Sequence, residues 1–209
     1  MIKGRIKPIY EKIIFAQNNL ILSSKWGRIH CNVLPNYLKT FNFKLSKKIL
    51  PCKTNFVEFG LDTDSRCNFC FLHPDTVPHV FSQCLVLAPI WRILDLGLKH
   101  LNIDFCFTTS RQIYDYDLRN SVLKTQENFI IYLNTVTNYK IWKMSMAIQY
   151  DGVSFDTKRF FCSLIKTLEG RKRMELSDKM KYSQKVGNLE QLVSFLKSYT
   201  FVGNGNGVS

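Results

Sequence analysis

The stretch Cys67-Asn68-Phe69-Cys70-Phe71-Leu72-His73-Pro74-Asp75-Thr76-Val77-Pro78-His79-Val80-Phe81-Ser82-Gln83-Cys84 decides how the chain is read. Its spacing is Cys-x2-Cys-x8-His-x4-Cys. Three soft thiolates and one imidazole are enough to close a four-coordinate shell around Zn²⁺. Cys67 and Cys70 fit a knuckle, in which one turn aims both sulfurs at a single point. His79 and Cys84 sit on a second short segment that can close the other side. Such a shell leaves no position for a catalytic water, so Cys67, Cys70, His79 and Cys84 read as a structural metal site. Two plainer readings stand beside it. Cysteine is often a small buried hydrophobe, and Cys-x2-Cys also serves as a redox pair, but that needs a βαβ setting absent around Cys67. His73 is a second candidate nitrogen. Pro74 and Asp75 after it mark a loop tip, which favours His79.

Outward from this stretch, charge is uneven. The 209 residues carry a net charge of +13. Residues 1–51 hold ten basic side chains against Glu11 alone, and residues 158–185 hold nine against three acids. Residues 51–157 hold nine against eleven, so two basic flanks bracket a nearly neutral middle. Basic flanks attract polyanions, and nucleic acid, RNA or DNA, is the usual one. The candidate phosphate contacts are Lys44, Lys47, Lys48, Arg66, Arg92, Arg171, Lys172 and Arg173, with Arg66 foremost because the knuckle backbone would hold it beside the metal. A solvated surface is the plainer account of any one of them.

Hydrophobic residues make up 45% of the chain, too many for a disordered one. No run approaches the roughly eighteen apolar residues of a membrane helix. Ile13-Ile14-Phe15-Ala16 breaks at Gln17-Asn18-Asn19, too short for a signal peptide. The expected setting is therefore reducing, nuclear or cytoplasmic, where clustered cysteines mean metal more often than disulfide. Cys31, Cys52, Cys106 and Cys162 have no ligand spacing and read as core thiols.

The periodicity is mostly helical, and the expected fold class is mainly α: an irregular helical bundle with an inserted CCHC zinc knuckle. A basic N-terminal helix over about Pro8–Leu22 is expected within a segment 1–34. A zinc-binding module follows over 35–100, then a C-terminal helical region over 101–202 and a disordered tail over 203–209. Pro35 suits the first turn of a helix with Leu38, Phe41, Leu45 and Ile49 on one face, stopped by Pro51. A short helix over Lys53–Phe59 ends at Gly60. Asp75 or Thr76 can cap the turn that carries Pro78 and His79. Cys84 is five residues beyond His79, off the shared face of an ideal α-helix, and is expected at the end of that turn. Pro89 and Trp91 open a helix with Ile90, Ile93, Leu94, Leu96 and Leu98 inward. Residues 103–118 read as loop with a short strand. Gln126–Gln149 is apolar on more than one face and predicts a helix at the bundle's centre. Its aromatics read as core rather than as a base-stacking platform. Asp156 caps the next helix, with Phe160, Phe161, Leu164, Ile165 and Leu168 inward and Arg171, Lys172 and Arg173 outward. A last helix carries Leu189, Leu192, Val193 and Leu196.

Asp64-Ser65-Arg66-Cys67-x2-Cys70, then Asp75-Thr76-x2-His79-x-Phe81-x2-Cys84, then Trp91, resembles the zinc-binding domain at the C-terminal end of non-LTR (LINE-like) retrotransposon reverse transcriptases. Phe41-x-Phe43-Lys44-Leu45 with Leu50-Pro51-x-Lys53 resembles the approach to that knuckle, and Asn128 to Trp142 the helix beyond it. Asp75 where the family prefers Glu, and Pro78 before His79, are departures that leave the ligands untouched. The resemblance implies Zn²⁺ on Cys67, Cys70, His79 and Cys84, and Trp91 as a core residue docking the next helix on the knuckle. It implies a non-catalytic module that grips RNA or target DNA, with a polymerase domain on another chain as a further partner. Polymerase chemistry does not carry over, because no Asp-Asp pair can hold two Mg²⁺. Tyr114-Asp115-Tyr116-Asp117 reads as a polar turn. A protein-interaction module and a non-functional retroelement relic are the alternatives.

Overall fold

A computed structural model describes residues 29–58, 60, 64–107, 124–176 and 186–202. The expected helix at Pro8–Leu22, the end of the short helix at Phe59, residues 108–118 and the tail 203–209 lie outside them. Among the described residues the chain is mainly helical and has no strand, only an isolated antiparallel bridge between Arg66 and Pro74. The elements are α1 (Asn36–Ser46), α2 (Lys53–Glu58), a single π-helical turn π1 (His79–Gln83), α3 (Ala88–His100), α4 (Lys124–Asp151), α5 (Thr157–Leu176) and α6 (Leu189–Val202). No described helix is long and apolar enough to cross a membrane.

The helix ends follow local chemistry. Pro35 is the N-cap of α1. α1 stops at Ser46, three residues short of Ile49, because Lys48 turns left-handed at φ 57°. The Ile49 N–H then bonds the Lys44 carbonyl and the Lys48 N–H that of Leu45, both at 2.9 Å. That pairing is a Schellman close, here with lysine in the position glycine favours. Asn102 does the same for α3, sending the Ile103 N–H to Leu98. Asp156 caps α5 through the Arg159 N–H.

α4 is the centre. Its 28 residues span about 42 Å. Phe129 through Asn138 are buried without a break, so the helix is enclosed on all sides there. Most polar groups in such an enclosure are bonded, although Thr137 Oγ1 has no hydrogen-bond partner among the described residues. The Asn42 side-chain amide of α1 donates to Thr135 Oγ1 at 2.9 Å, and Thr135 Oγ1 donates to the Ile131 carbonyl at 2.7 Å. α1 and α5 pack on α4, α6 packs on α5, and α3 closes against α6. At that last crossing Gly97 lets α6 come close, since a Cβ there would sit 2.8 Å from Leu192 Cδ1.

The aromatics of α4 from Phe129 to Trp142 pack inward, while Tyr150 near its end is exposed. Tyr139 and Trp142 meet Phe41 of α1 at ring-centroid distances of 5.3 and 5.9 Å, and Phe41 also meets Phe81 of π1 at 6.5 Å. This cluster ties α1, α4 and π1 together. Leu96 differs from its expected inward position and is 41% exposed. It follows Asp95, whose carboxylate reaches the Phe107 N–H at 2.7 Å, and the buried face of α3 runs instead through Ile90, Trp91, Leu94, Gly97 and Leu98.

Leu94→Ala, at a fully buried site, is expected to cost about 2–5 kcal/mol. Leu96→Ala is expected to stay within roughly 0.5 kcal/mol. Urea denaturation of the two variants beside the parent protein checks the contrast.

Candidate metal centre

Two short devices bring the Cys67–Cys84 stretch to a point. The first is a hairpin from Asp64 to Asp75. The Cys67 N–H bonds the His73 carbonyl and the Asp75 N–H bonds the Ser65 carbonyl, both at 2.7 Å. At the tip the Phe71 N–H returns to the Cys67 carbonyl at 2.9 Å, and Phe71 itself takes φ 55°. Inside this turn the Phe69 N–H points at Cys67 Sγ, 3.4 Å away. A backbone N–H aimed at sulfur favours the thiolate that a metal needs.

The second device is π1. Thr76 Oγ1 accepts the His79 N–H at 3.2 Å, so Thr76 caps the turn. Pro78 sits in the first turn, where its missing N–H costs nothing. The Cys84 N–H then bonds the His79 carbonyl at 2.8 Å, five residues back. An α-helix makes this bond four residues back, which would turn Cys84 away from His79. The wider i→i+5 turn accommodates the extra residue, and the chain leaves it in an extended conformation at Cys84.

The result is a compact group. Cys67 Sγ, Cys70 Sγ, a ring nitrogen of His79 and Cys84 Sγ all lie within 4.8 Å of one another. Cys70 Sγ is 3.3 Å from His79 Nε2. A tetrahedral shell with Zn–S bonds of about 2.3 Å places its sulfurs about 3.8 Å apart, so the group has the dimensions of such a shell. Cys67, His79 and Cys84 are buried and Cys70 is half-buried. His73 is exposed and stands beside the group, its ring centroid 5.2 Å from that of His79.

The electrostatics suit a cation. The Cys67 thiol hydrogen-bonds to the Cys84 sulfur, which raises the pKa of Cys67, with burial adding to the rise, and lowers that of Cys84. A bound metal would displace the proton that Cys67 donates to the Cys84 sulfur. The Val86 and Leu87 N–H groups also favour the Cys84 thiolate. Burial first, and the neighbouring His73 second, lower the pKa of His79 and keep its ring neutral, the form that binds metal.

Supports reach the group from three sides. The Asn68 side-chain amide donates to the Ser145 carbonyl at 3.1 Å and to Ser145 Oγ at 3.0 Å, locking the knuckle to α4. Phe69 meets Phe155 edge-on at 5.4 Å. Asp75 is buried, and its carboxylate accepts the Lys53 N–H at 2.9 Å, capping α2 from across the fold. Burial raises its pKa. The sequence expectation assigned capping of the second segment to Asp75 or Thr76. Thr76 takes that task and Asp75 serves α2, a pairing 22 residues apart that local pattern does not reveal. Trp91 is buried in α3 and packs on Phe107 at 5.2 Å.

The eight basic candidates fare differently. Lys48, Arg92 and Arg173 are exposed and Lys44 is half-buried. Arg66 is exposed, but Asp64 Oδ1 holds its Nε at 3.0 Å. Lys172 is bonded to Glu190 at 2.6 Å. Two are buried instead of exposed. Lys47, at the C-cap of α1, is only 7% exposed. Arg171 is 8% exposed, bonded to Glu175 at 3.1 Å and set over the Tyr132 ring at 5.1 Å. It lies on the inward side with Leu164 and Leu168, so it serves the α4–α5 packing rather than an outer basic face.

Residues 5–91 match a family model described as zinc-binding in reverse transcriptase. They carry a reverse-transcriptase-associated zinc-binding domain. No curated protein and no solved structure matches the chain. The zinc-binding domain ends, by this match, at Trp91 in the first turn of α3, so α4 to α6 lie beyond it.

Asp75→Ala would leave the Lys53 N–H without its acceptor and is expected to cost about 1–3 kcal/mol. Asp75→Asn keeps an acceptor and sheds the buried charge, so it is expected to stay within about 1 kcal/mol of the parent protein. Thermal melts of both variants, loaded with equal metal, check the difference.

Proposed function

We propose that the chain is a Zn²⁺-stapled, non-catalytic nucleic-acid-binding module of the kind that accompanies non-LTR retrotransposon reverse transcriptases. The observation that carries this reading is the convergence of Cys67, Cys70, His79 and Cys84 within 4.8 Å, inside the family-matched segment. Cys67, Cys70 and Cys84 would hold Zn²⁺ as thiolates and His79 through Nε2. Bound Zn²⁺ supplies cross-linking, not Lewis-acid catalysis, because four protein ligands fill its shell. Binding at such sites contributes about 10–16 kcal/mol apparent at neutral pH, against a whole-domain stability of about 5–15 kcal/mol. The metal would therefore act through folding, holding the hairpin against π1 so that Asn68, Phe69, Asp75 and Phe81 reach their partners.

The +13 charge supports RNA or DNA as the partner, with a polymerase domain on another chain as the source of chemistry. The seven cysteines are all unbridged, in keeping with a nuclear or cytoplasmic, reducing setting. A second reading, docking on a protein such as that polymerase domain, is favoured by Phe71, Leu72 and Leu85. All three are exposed apolar side chains one or two residues from Cys70 or Cys84.

Metal analysis of purified protein is expected to give one zinc per chain, and Cys84→Ser is expected to lose both the zinc and cooperative melting. Acid should act likewise, since protons compete for the thiolates and zinc is released as pH falls. A chelator-stripped sample with an unchanged melt would sink the staple. For the partner, binding to a labelled oligonucleotide should weaken by about 0.7–0.9 log units per phosphate neutralised for each tenfold rise in salt. A flat salt response would favour protein docking instead.

A further inference from the structure

The outer side of α5 carries a row of cations. Arg159, Lys166 and Arg173 are all exposed and stand seven residues apart. Seven residues make nearly two helical turns, so the three share one side, opposite buried Phe161, Leu164 and Leu168. Their spacing along the axis is about 10.5 Å, and the row is about 21 Å long. Ion pairs consume the neighbouring charges instead. Arg171 is held by Glu175, Lys172 by Glu190, and Lys197 by Glu169 at 2.6 Å. Among the described residues no carboxylate pairs with Arg159, Lys166 or Arg173. Glu169 does feel Arg173, but its carboxylate is committed to Lys197.

α4 adds to this row. Lys140 Nζ donates to Ser163 Oγ at 2.9 Å. Ser163 lies four residues after Arg159 and three before Lys166, on the same side of α5. Lys143, exposed, follows Lys140 by one turn. The Lys140 ammonium is half-buried, and burial and then Lys143 make it more acidic, with no carboxylate among the groups that act on it. Cations gathered without counterions repel one another, and a polyanion is the ligand that relieves this.

We propose that Lys140, Lys143, Arg159, Lys166 and Arg173 form a track for the phosphate backbone of a nucleic acid, on a face of α4 and α5 outside the zinc-binding domain. This rests on the nucleic-acid reading above and moves the main contact away from the knuckle. A row of about 21 Å is as long as about six base pairs of duplex at 3.4 Å per step. Cys162, Ser163 and Gly170 stand among the cations and offer no aromatic face. The track therefore positions phosphates and reads no base.

The test uses the zinc-loaded full chain, a labelled single-stranded RNA and a labelled DNA duplex of about 20 nucleotides, and KCl from about 50 to 200 mM. Two variants are compared. One replaces Lys140, Lys143, Arg159, Lys166 and Arg173 with Gln. The other replaces Lys48, Arg66 and Arg92 with Gln. The first is expected to bind at least tenfold more weakly, with a salt slope shallower by about 3.5–4.5, and to keep its zinc and its melt. The second is expected to stay close to the parent. Lys166→Gln alone, on an exposed side chain, should take about 0.7–0.9 off the slope and serves if the five-site variant misfolds. Parental affinity and slope in the five-site variant, with loss in the three-site one, would overturn the track and leave the nucleic-acid reading intact. If the parent protein bound neither oligonucleotide, that reading itself would fail. Binding to phosphatidylserine vesicles but to neither oligonucleotide would reassign the row to a lipid surface.

Discussion

The hydrogen bond from the Cys84 N–H to the His79 carbonyl is a small constraint with wide reach. It widens one turn of helix so that a side chain five residues on can return to the same point. With that turn in place, His79 and Cys84 face the Cys67–Cys70 knuckle. Without it, Phe81 would also leave Phe41, and the aromatic cluster joining α1, α4 and the metal group would lose a member. π-turns cost hydrogen-bond geometry and gather at functional sites. Here the geometry of the group is the evident return, and the Thr76 cap and the wide turn are two parts of one device.

Around this point three buried polar side chains are tied across long sequence distances. Asn42 reaches Thr135, Asn68 reaches Ser145, and Asp75 reaches the start of α2. Each is buried, so each would cost stability if its partner were lost. Each also fixes one register between elements that apolar contacts alone would let slide. The knuckle is thereby oriented by α4 as well as by its own ligands.

Much of this was legible in the residues. The Cys-x2-Cys-x8-His-x4-Cys spacing marked the group, and the two-sided apolar run from Phe129 to Ile148 marked the central helix. The start of α5 followed from Asp156, and the presence of α6 from the leucine spacing. Other features were hidden for physical reasons. Ideal α geometry sets His79 and Cys84 on different faces, and no local signal announces a π-turn. Lys47 and Arg171 carry charge, which reads as exposure, yet both are buried, Arg171 in an ion pair with Glu175. Leu96 looked like core by its chemistry, though α3 had room inward for Trp91, Leu94 and Gly97 and not for it. The role of Asp75 depends on Lys53, a partner that only the folded chain supplies.

The enclosure of α4 has one more consequence. Asn42, Phe41 and Asn68 all belong to the family-matched residues, yet each has a partner on a helix that begins 33 positions after Trp91. A piece cut at that border would present raw apolar and amide surface to water. The smallest autonomous piece of this chain is therefore larger than the stretch recognisable by ancestry, and the helices downstream are the missing wall of that stretch rather than an appendage to it.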